Sequence, residues 1–131
     1  MSIEIFDLLT FDHALVENVD ITTTDPDWTD LMTLTTPSRD VGTYALSFSL
    51  QFNMDSTNRS FMYRFSNDGG ASWGPIYQHE SKDKSNTDVV EVFDIWEQTT
   101  AGIIDLRCQV TRESAADCIV LKGLIACERK A

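Results

Sequence analysis

The sequence predicts an all-β fold, an antiparallel two-sheet sandwich of jelly-roll type with about eight strands. Three observations carry that prediction. Long stretches alternate apolar and polar residues with period two. The segments between them are rich in Asp, Asn, Ser, Gly and Pro. No sustained apolar pattern of helical period competes with them. The 131 residues form one domain, and the 42% apolar content is enough for a buried core.

The first eighteen residues stand apart. Ile3, Ile5, Phe6, Leu8, Leu9 and Phe11 are concentrated there, ahead of the first turn-rich region. Residues 1–18 are therefore read as an N-terminal arm or edge segment, and 19–131 as the sandwich. The arm either completes the domain's own core or packs on another subunit. In the second case Ile3, Ile5, Phe6, Leu9 and Phe11 are the partner-binding residues. Helix signals are few, and the best of them covers Phe11 to Val16.

Ile21 to Thr24 and Leu31 to Thr36 read as short strands, with Pro26 and Pro37 in connections where a missing donor costs little. Thr43 to Asn53 alternates cleanly. Tyr44, Leu46, Phe48, Leu50 and Phe52 share one face, and Ala45, Ser47, Ser49, Gln51 and Asn53 the other. The small polar face is suited to water or to a polar partner. Phe61, Tyr63 and Phe65 repeat the pattern after the turn-like Asp55-Ser56-Thr57-Asn58, which predicts a hairpin between the two strands. Ser72 to His79 is a weaker strand. Val89 to Trp96 is another, with a bulge expected where Phe93 interrupts the pattern.

Ile104, Leu106, Cys108 and Val110 alternate again. Cys118 to Cys127 is apolar on both faces, with Ile119, Leu121 and Ile125 on one and Val120 and Leu124 on the other. Such a strand is central and covered twice, and a neighbouring subunit is one source of the second cover. Pairing Arg112 with Asp117 across a short turn sets Cys108 opposite Leu121 and Cys118 opposite Thr111. That register leaves the two thiols ~10 Å apart, beyond disulfide reach. With Cys127 they make an odd count, so three free thiols are expected.

A net charge of −11 disfavours nucleic acid and anionic membranes, which require clustered Lys and Arg. The sequence begins without a basic region or an uninterrupted apolar run, so no signal peptide is expected.

Ser66-Asn67-Asp68-Gly69-Gly70-Ala71-Ser72-Trp73 resembles the Asp-box of sialidases and related β-propellers, a hairpin-turn motif. The resemblance assigns Ser66, Asp68, Gly70, Ser72 and Trp73 to motif positions. Ser72 stands where the family more often has Thr. Gly69 and Gly70 supply positive φ, and Asp68 accepts from turn N–H groups. The box occurs once, in a chain too short for a propeller. In sialidases it lies away from the catalytic centre. The six arginines show no triad spacing, and no local motif pairs Tyr44, Tyr63 or Tyr77 with a carboxylate.

His13 and His79 are the only histidines, and no nucleophile elbow or phosphate loop occurs. No catalytic residue is assigned. Asp20, Asp25, Asp27 and Asp30 lack calcium-loop spacing, so neither metal nor cofactor is expected. Trp28, Tyr77 and Trp96 are the sugar-stacking candidates of an alternative reading, a carbohydrate- or receptor-binding module of a tail or fibre.

The long strands Thr43–Asn53 and Ile103–Arg112, the apolar Cys118–Cys127 strand and the arm Ile3–Phe11 together resemble small phage virion proteins of jelly-roll type, such as capsid decoration (cement) proteins. That resemblance implies a non-enzymatic virion protein that binds the major capsid protein or another virion protein. It also implies a homo-oligomer that stabilises a shell by multivalent contacts.

Overall fold

The computed structural model describes residues 11–54, 59–80, 86–114 and 117–130. Eight strands are present: β1 (Phe11–Ile21), β2 (Thr29–Thr35), β3 (Gly42–Met54), β4 (Ser60–Ser66), β5 (Tyr77–Glu80), β6 (Asn86–Gln98), β7 (Asp105–Arg112) and β8 (Cys118–Arg129). They form two four-stranded antiparallel sheets, ordered β1-β8-β3-β6 and β2-β7-β4-β5. This is a jelly-roll sandwich. Among the described residues no helix is long and apolar enough to cross a membrane.

The inward faces follow the alternation read from the sequence. Tyr44, Leu46, Phe48, Leu50 and Phe52 of β3 are buried, as are Phe61, Tyr63 and Phe65 of β4 and Leu106, Cys108 and Val110 of β7. The expected hairpin between β3 and β4 does not form, because the two strands belong to opposite sheets. Their aromatic faces meet across the core instead. Phe48 stacks on Phe65 with ring centroids 4.0 Å apart, and Phe52 meets Phe61 at 4.6 Å. Both strands are amphipathic, and facing one another buries both apolar sides. A hairpin would put those sides on one sheet and leave a second sheet to be found.

Every connection except β4–β5 crosses from one sheet to the other. The β7–β8 pairing inferred through Arg112 and Asp117 therefore fails too. Those residues face each other at 3.7 Å as an ion pair beside the crossing, and β8 pairs with β1 and β3. The inference about thiols holds for a different reason. Cys108 lies opposite Met32 and Phe65 in one sheet, while Cys118 and Cys127 lie near the two ends of β8 in the other, and all three are free and buried.

Phe11 to Val16 is strand, not helix. β1 pairs with β8 from Phe11↔Glu128 to Ile21↔Cys118. The boundary drawn after residue 18 falls inside this strand. Its inward residues change phase at Asn18, which has a φ of 54°. β8 changes phase beside it: Cys118 and Val120 face inward, then Gly123, Ile125 and Cys127. The pairing with β3 shifts by one residue between Gln51 and Phe52. This bulge corrects the face assignment of β8, placing Val120 rather than Leu121 in the core. Gly123 fits beside it because a Cβ there would meet Met32 Sδ at 3.0 Å and Val16 Cγ2 at 3.1 Å.

The bulge expected at Phe93 is absent. β6 pairs with β3 without interruption from Gly42↔Gln98 to Met54↔Asn86. Phe93 lies opposite Ser47 and points to solvent in regular alternation. Of Ser72 to His79, only Tyr77 onward is strand, and Ile21 to Thr24 contributes the end of β1 and an isolated bridge from Thr24 to Arg112.

Two outcomes are expected. Phe52→Ala costs about 3–5 kcal/mol in urea unfolding, as for other fully buried aromatics. Burial pushes the Cys127 thiol up to about 11 and Cys118 to about 12, and raises Cys108 further. A thiol reagent at pH 8 should label none of the three in the folded protein and all three in denaturant.

Candidate functional site

Three surfaces concentrate side chains with recognition potential. The first is the turn after β4. Asp68 accepts from the hydroxyls of Ser72 and Ser66, and the Ser72 N–H donates to its Oδ1 at 2.9 Å. Ser66 Oγ in turn accepts from the Gly70 N–H at 2.9 Å. Gly69 and Gly70 have φ of 71° and 88°, the left-handed region that glycine enters without strain. The Gly69 N–H donates to the Asp105 carbonyl at 3.2 Å, and the Gly74 N–H to the Phe65 carbonyl at 2.9 Å. The loop is thus closed on itself and pinned to β7 and β4. Ser66, Asp68, Gly69, Gly70 and Ser72 all take part in this turn.

Trp73 folds back over the turn between the paired strands β4 and β5, its Cζ2 3.5 Å from where a Cβ on Gly70 would stand. Its ring lies over the Arg64 guanidinium, 4.6 Å from the ring centre, and Trp28 covers the same cation at 4.3 Å. Arg64 also donates from Nε and Nη2 to Gln109 Oε1, at 3.0 and 2.7 Å, and Gln109 Nε2 donates to Asp30. A planar cation between two indoles holds the turn and the β1–β2 connection against one face of the β2-β7-β4-β5 sheet.

The sugar-stacking candidates are not gathered. Trp28 sits in the Arg64 cluster. Tyr77 stacks on Tyr63 with centroids 5.3 Å apart, and Trp96 packs against the core while its indole N–H donates to Gln98.

The second surface is the outer face of the β1-β8-β3-β6 sheet. Register places Phe11, Glu128, Ala45 and Ile95 in one row, and His13, Ala126, Ser47 and Phe93 in the next. Leu15, Leu124, Ser49 and Glu91 form the third. Phe11 is 54% exposed, Ile95 59% and Phe93 72%. Leu15 and Val89 add to the same face. Of the arm residues, only Phe11 lies in this structure, at the rim of this face. Ile3, Ile5, Phe6 and Leu9 fall outside the described residues.

The third surface is the free edge of β6, flanked by two grooves. One, of about 400 Å³, opens between the sheets, with Phe48, Phe65, Trp73 and Tyr77 among its walls. The other, of about 380 Å³, lies on the outer face between Phe11, Ala45, Ala126 and Ile95. Phe93 and Asp94 border both. The first groove exists because β5 is only four residues long, so the closed turn of residues 66–74 stands where a longer strand would cover the gap. Sequence reasoning missed this edge. Its signal is the apolar outer phase of β6 at Val89, Phe93 and Ile95, of which the pattern reads Phe93 alone as a bulge.

No family model and no curated protein matches the sequence. Solved structures share the fold. A structure of the Gt strain of infectious bursal disease virus superposes with a TM-score of 0.63 at 6% identity, over 89% of this chain and 33% of that one. The VP2 subviral particle of the same virus gives 0.61 at 6% identity, over 92% and 33%. Murine APRIL gives 0.54 at 13% identity, over 92% and 99%. The chain spans about a third of the length of the two viral chains.

The turn yields a pH-dependent outcome. Hydrogen bonds from Ser72 and then Ser66 hold the Asp68 carboxyl down at about 2, below its ordinary 3.8. Its ionised form is favoured by folding, so its contribution is complete above about pH 4 and is lost as pH falls through about 2. A carboxyl NMR titration should place the Asp68 midpoint near 2, and Ser72→Ala should move it toward the ordinary value. Arg64→Lys should cost about 1 kcal/mol and red-shift tryptophan emission, because an ammonium cannot fill the planar slot.

Proposed function

We propose that this protein is a non-enzymatic structural component of a virion, a phage capsid decoration protein that attaches to an assembled shell. The observation that carries this reading is the apolar outer face of the β1-β8-β3-β6 sheet. Phe11 and Leu15 on β1 and Val89, Phe93 and Ile95 on β6 are exposed there, and Phe11, Phe93 and Ile95 line one groove. Large apolar side chains held in register are costly in water and gain by being covered. The jelly-roll topology shared with the viral chains supports the class, and the apolar residues Ile3, Ile5, Phe6 and Leu9 precede Phe11 in the sequence.

The acidic balance fits attachment to a positively charged protein surface, which also speeds encounter. Many copies, as homo-oligomers, would add weak contacts into firm attachment to a major capsid protein. The Asp-box-like turn serves architecture, holding Trp73 on Arg64 and shaping the groove beside β6. The sugar-binding alternative has less support, since its rings lie in three separate environments.

Virions purified by density gradient from a producing culture provide the test. The protein should be present at many copies per particle by quantitative mass spectrometry. The double variant Phe93→Ser/Ile95→Ser should keep its unfolding midpoint and fall about tenfold or more in particle occupancy. A protein absent from particles, or a double variant retained at full occupancy, would overturn the reading.

A further inference from the structure

The free edge of β6 has the features of a strand-acceptor site. β6 has thirteen residues and pairs with β3 along one side only. Among the described residues no strand or isolated bridge occupies its other side. Proteins usually protect such an edge by shortening it, bulging it or placing charges on it, and the charges on this one are all carboxylates. This one is long and regular and carries Phe93 and Ile95 exposed. An added strand would point alternate side chains to opposite faces. Here those faces are the two grooves, of about 400 and 380 Å³, that meet at Phe93 and Asp94.

Charge selects the occupant. Asp88, Glu91, Asp94 and Glu97 recur at every third position of β6, Asp88 facing His79 at 3.1 Å, and the strand contains no Lys or Arg. Glu91 and Glu97 belong to the outer face, and Asp94 borders both grooves. Opposite charges on adjacent strands attract and like charges repel. The chain's own arm carries Glu4 and Asp7 among its apolar residues, so it is mismatched to this edge.

We propose that β6, between Glu91 and Glu97, accepts an extended segment of another virion protein as a fifth strand of the β1-β8-β3-β6 sheet. That segment carries Lys or Arg at every third position and apolar residues between them. Backbone hydrogen bonds to the edge supply affinity, the Ile95 N–H exchanging the Asp94 Oδ1 it meets at 2.8 Å for the added strand, and the two grooves and the carboxylates of Glu91, Asp94 and Glu97 supply selectivity. For the partner's class alone, the proposal rests on the virion reading above.

The probe is a fluorescent peptide, Lys-Val-Val-Lys-Phe-Val-Lys, titrated by anisotropy and mapped by backbone amide NMR. It should bind at least about tenfold more tightly than its counterpart with Glu in place of Lys. Amide shifts should concentrate on residues 90–98. The triple variant Glu91→Gln/Asp94→Asn/Glu97→Gln changes only surface groups and should keep its melting temperature while weakening binding about tenfold or more. N-methylating alternate peptide amides should abolish binding for the set facing β6 and not for the other set.

Equal affinity for the acidic peptide, shifts confined to β1 and β8, no binding at about 1 mM, or tighter binding of a peptide spanning residues 3–11 would each overturn the proposal. The two readings fail separately. Peptide binding at β6 by a protein absent from particles sinks the virion reading. Full particle occupancy by the triple variant sinks this one.

Discussion

The structure depends on one packing contact, the meeting of β3 and β4 face to face across the core. Phe48 on Phe65 and Phe52 on Phe61 lock two amphipathic strands into opposite sheets. Sheets packed this way sit about 10 Å apart, so every connection that links them has to cross that distance. The crossing pattern follows: only β4 and β5 remain neighbours in one sheet as well as in sequence. The position of Gly123 follows as well, because Met32 and Val16 leave no room for a Cβ there.

Once the core is set, polar contacts fix its rim. Arg39 donates to Asp12 from Nε at 3.1 Å and Nη2 at 2.7 Å, tying the β2–β3 connection to β1. The Tyr44 hydroxyl donates to the Asp40 carbonyl at 2.9 Å, so a fully buried ring keeps its one polar atom satisfied. The Ser66–Asp68–Ser72 hydrogen bonds and the Arg64 sandwich do the same at the opposite sheet. These groups hold loops in place.

What remains for recognition is what the two sheets do not cover. The outer face of β1-β8-β3-β6 exposes Phe11, Leu15, Val89, Phe93 and Ile95 among polar residues, where the outer face of β2-β7-β4-β5 carries Arg64, Arg107, Gln109 and Asp105 with their partners. β6 contributes three of those apolar side chains and, among the described residues, pairs along one side only.

The sequence by itself determined the class of fold and the inward residues of β3, β4 and β7, and it marked a glycine-rich turn after β4. Each is a local property. Period-two alternation and glycine at positive φ are legible within a few residues. Only the tertiary structure decided that β3 and β4 face each other rather than pair, that Phe93 points outward, and that β8 shifts phase beside Asn18. Strand pairing is a choice among distant partners of similar local quality, and the choice goes to the arrangement that buries all the apolar faces at once. The one-sided pairing of β6 was hidden for the same reason, since among the described residues an edge is defined by which strands lie beside it.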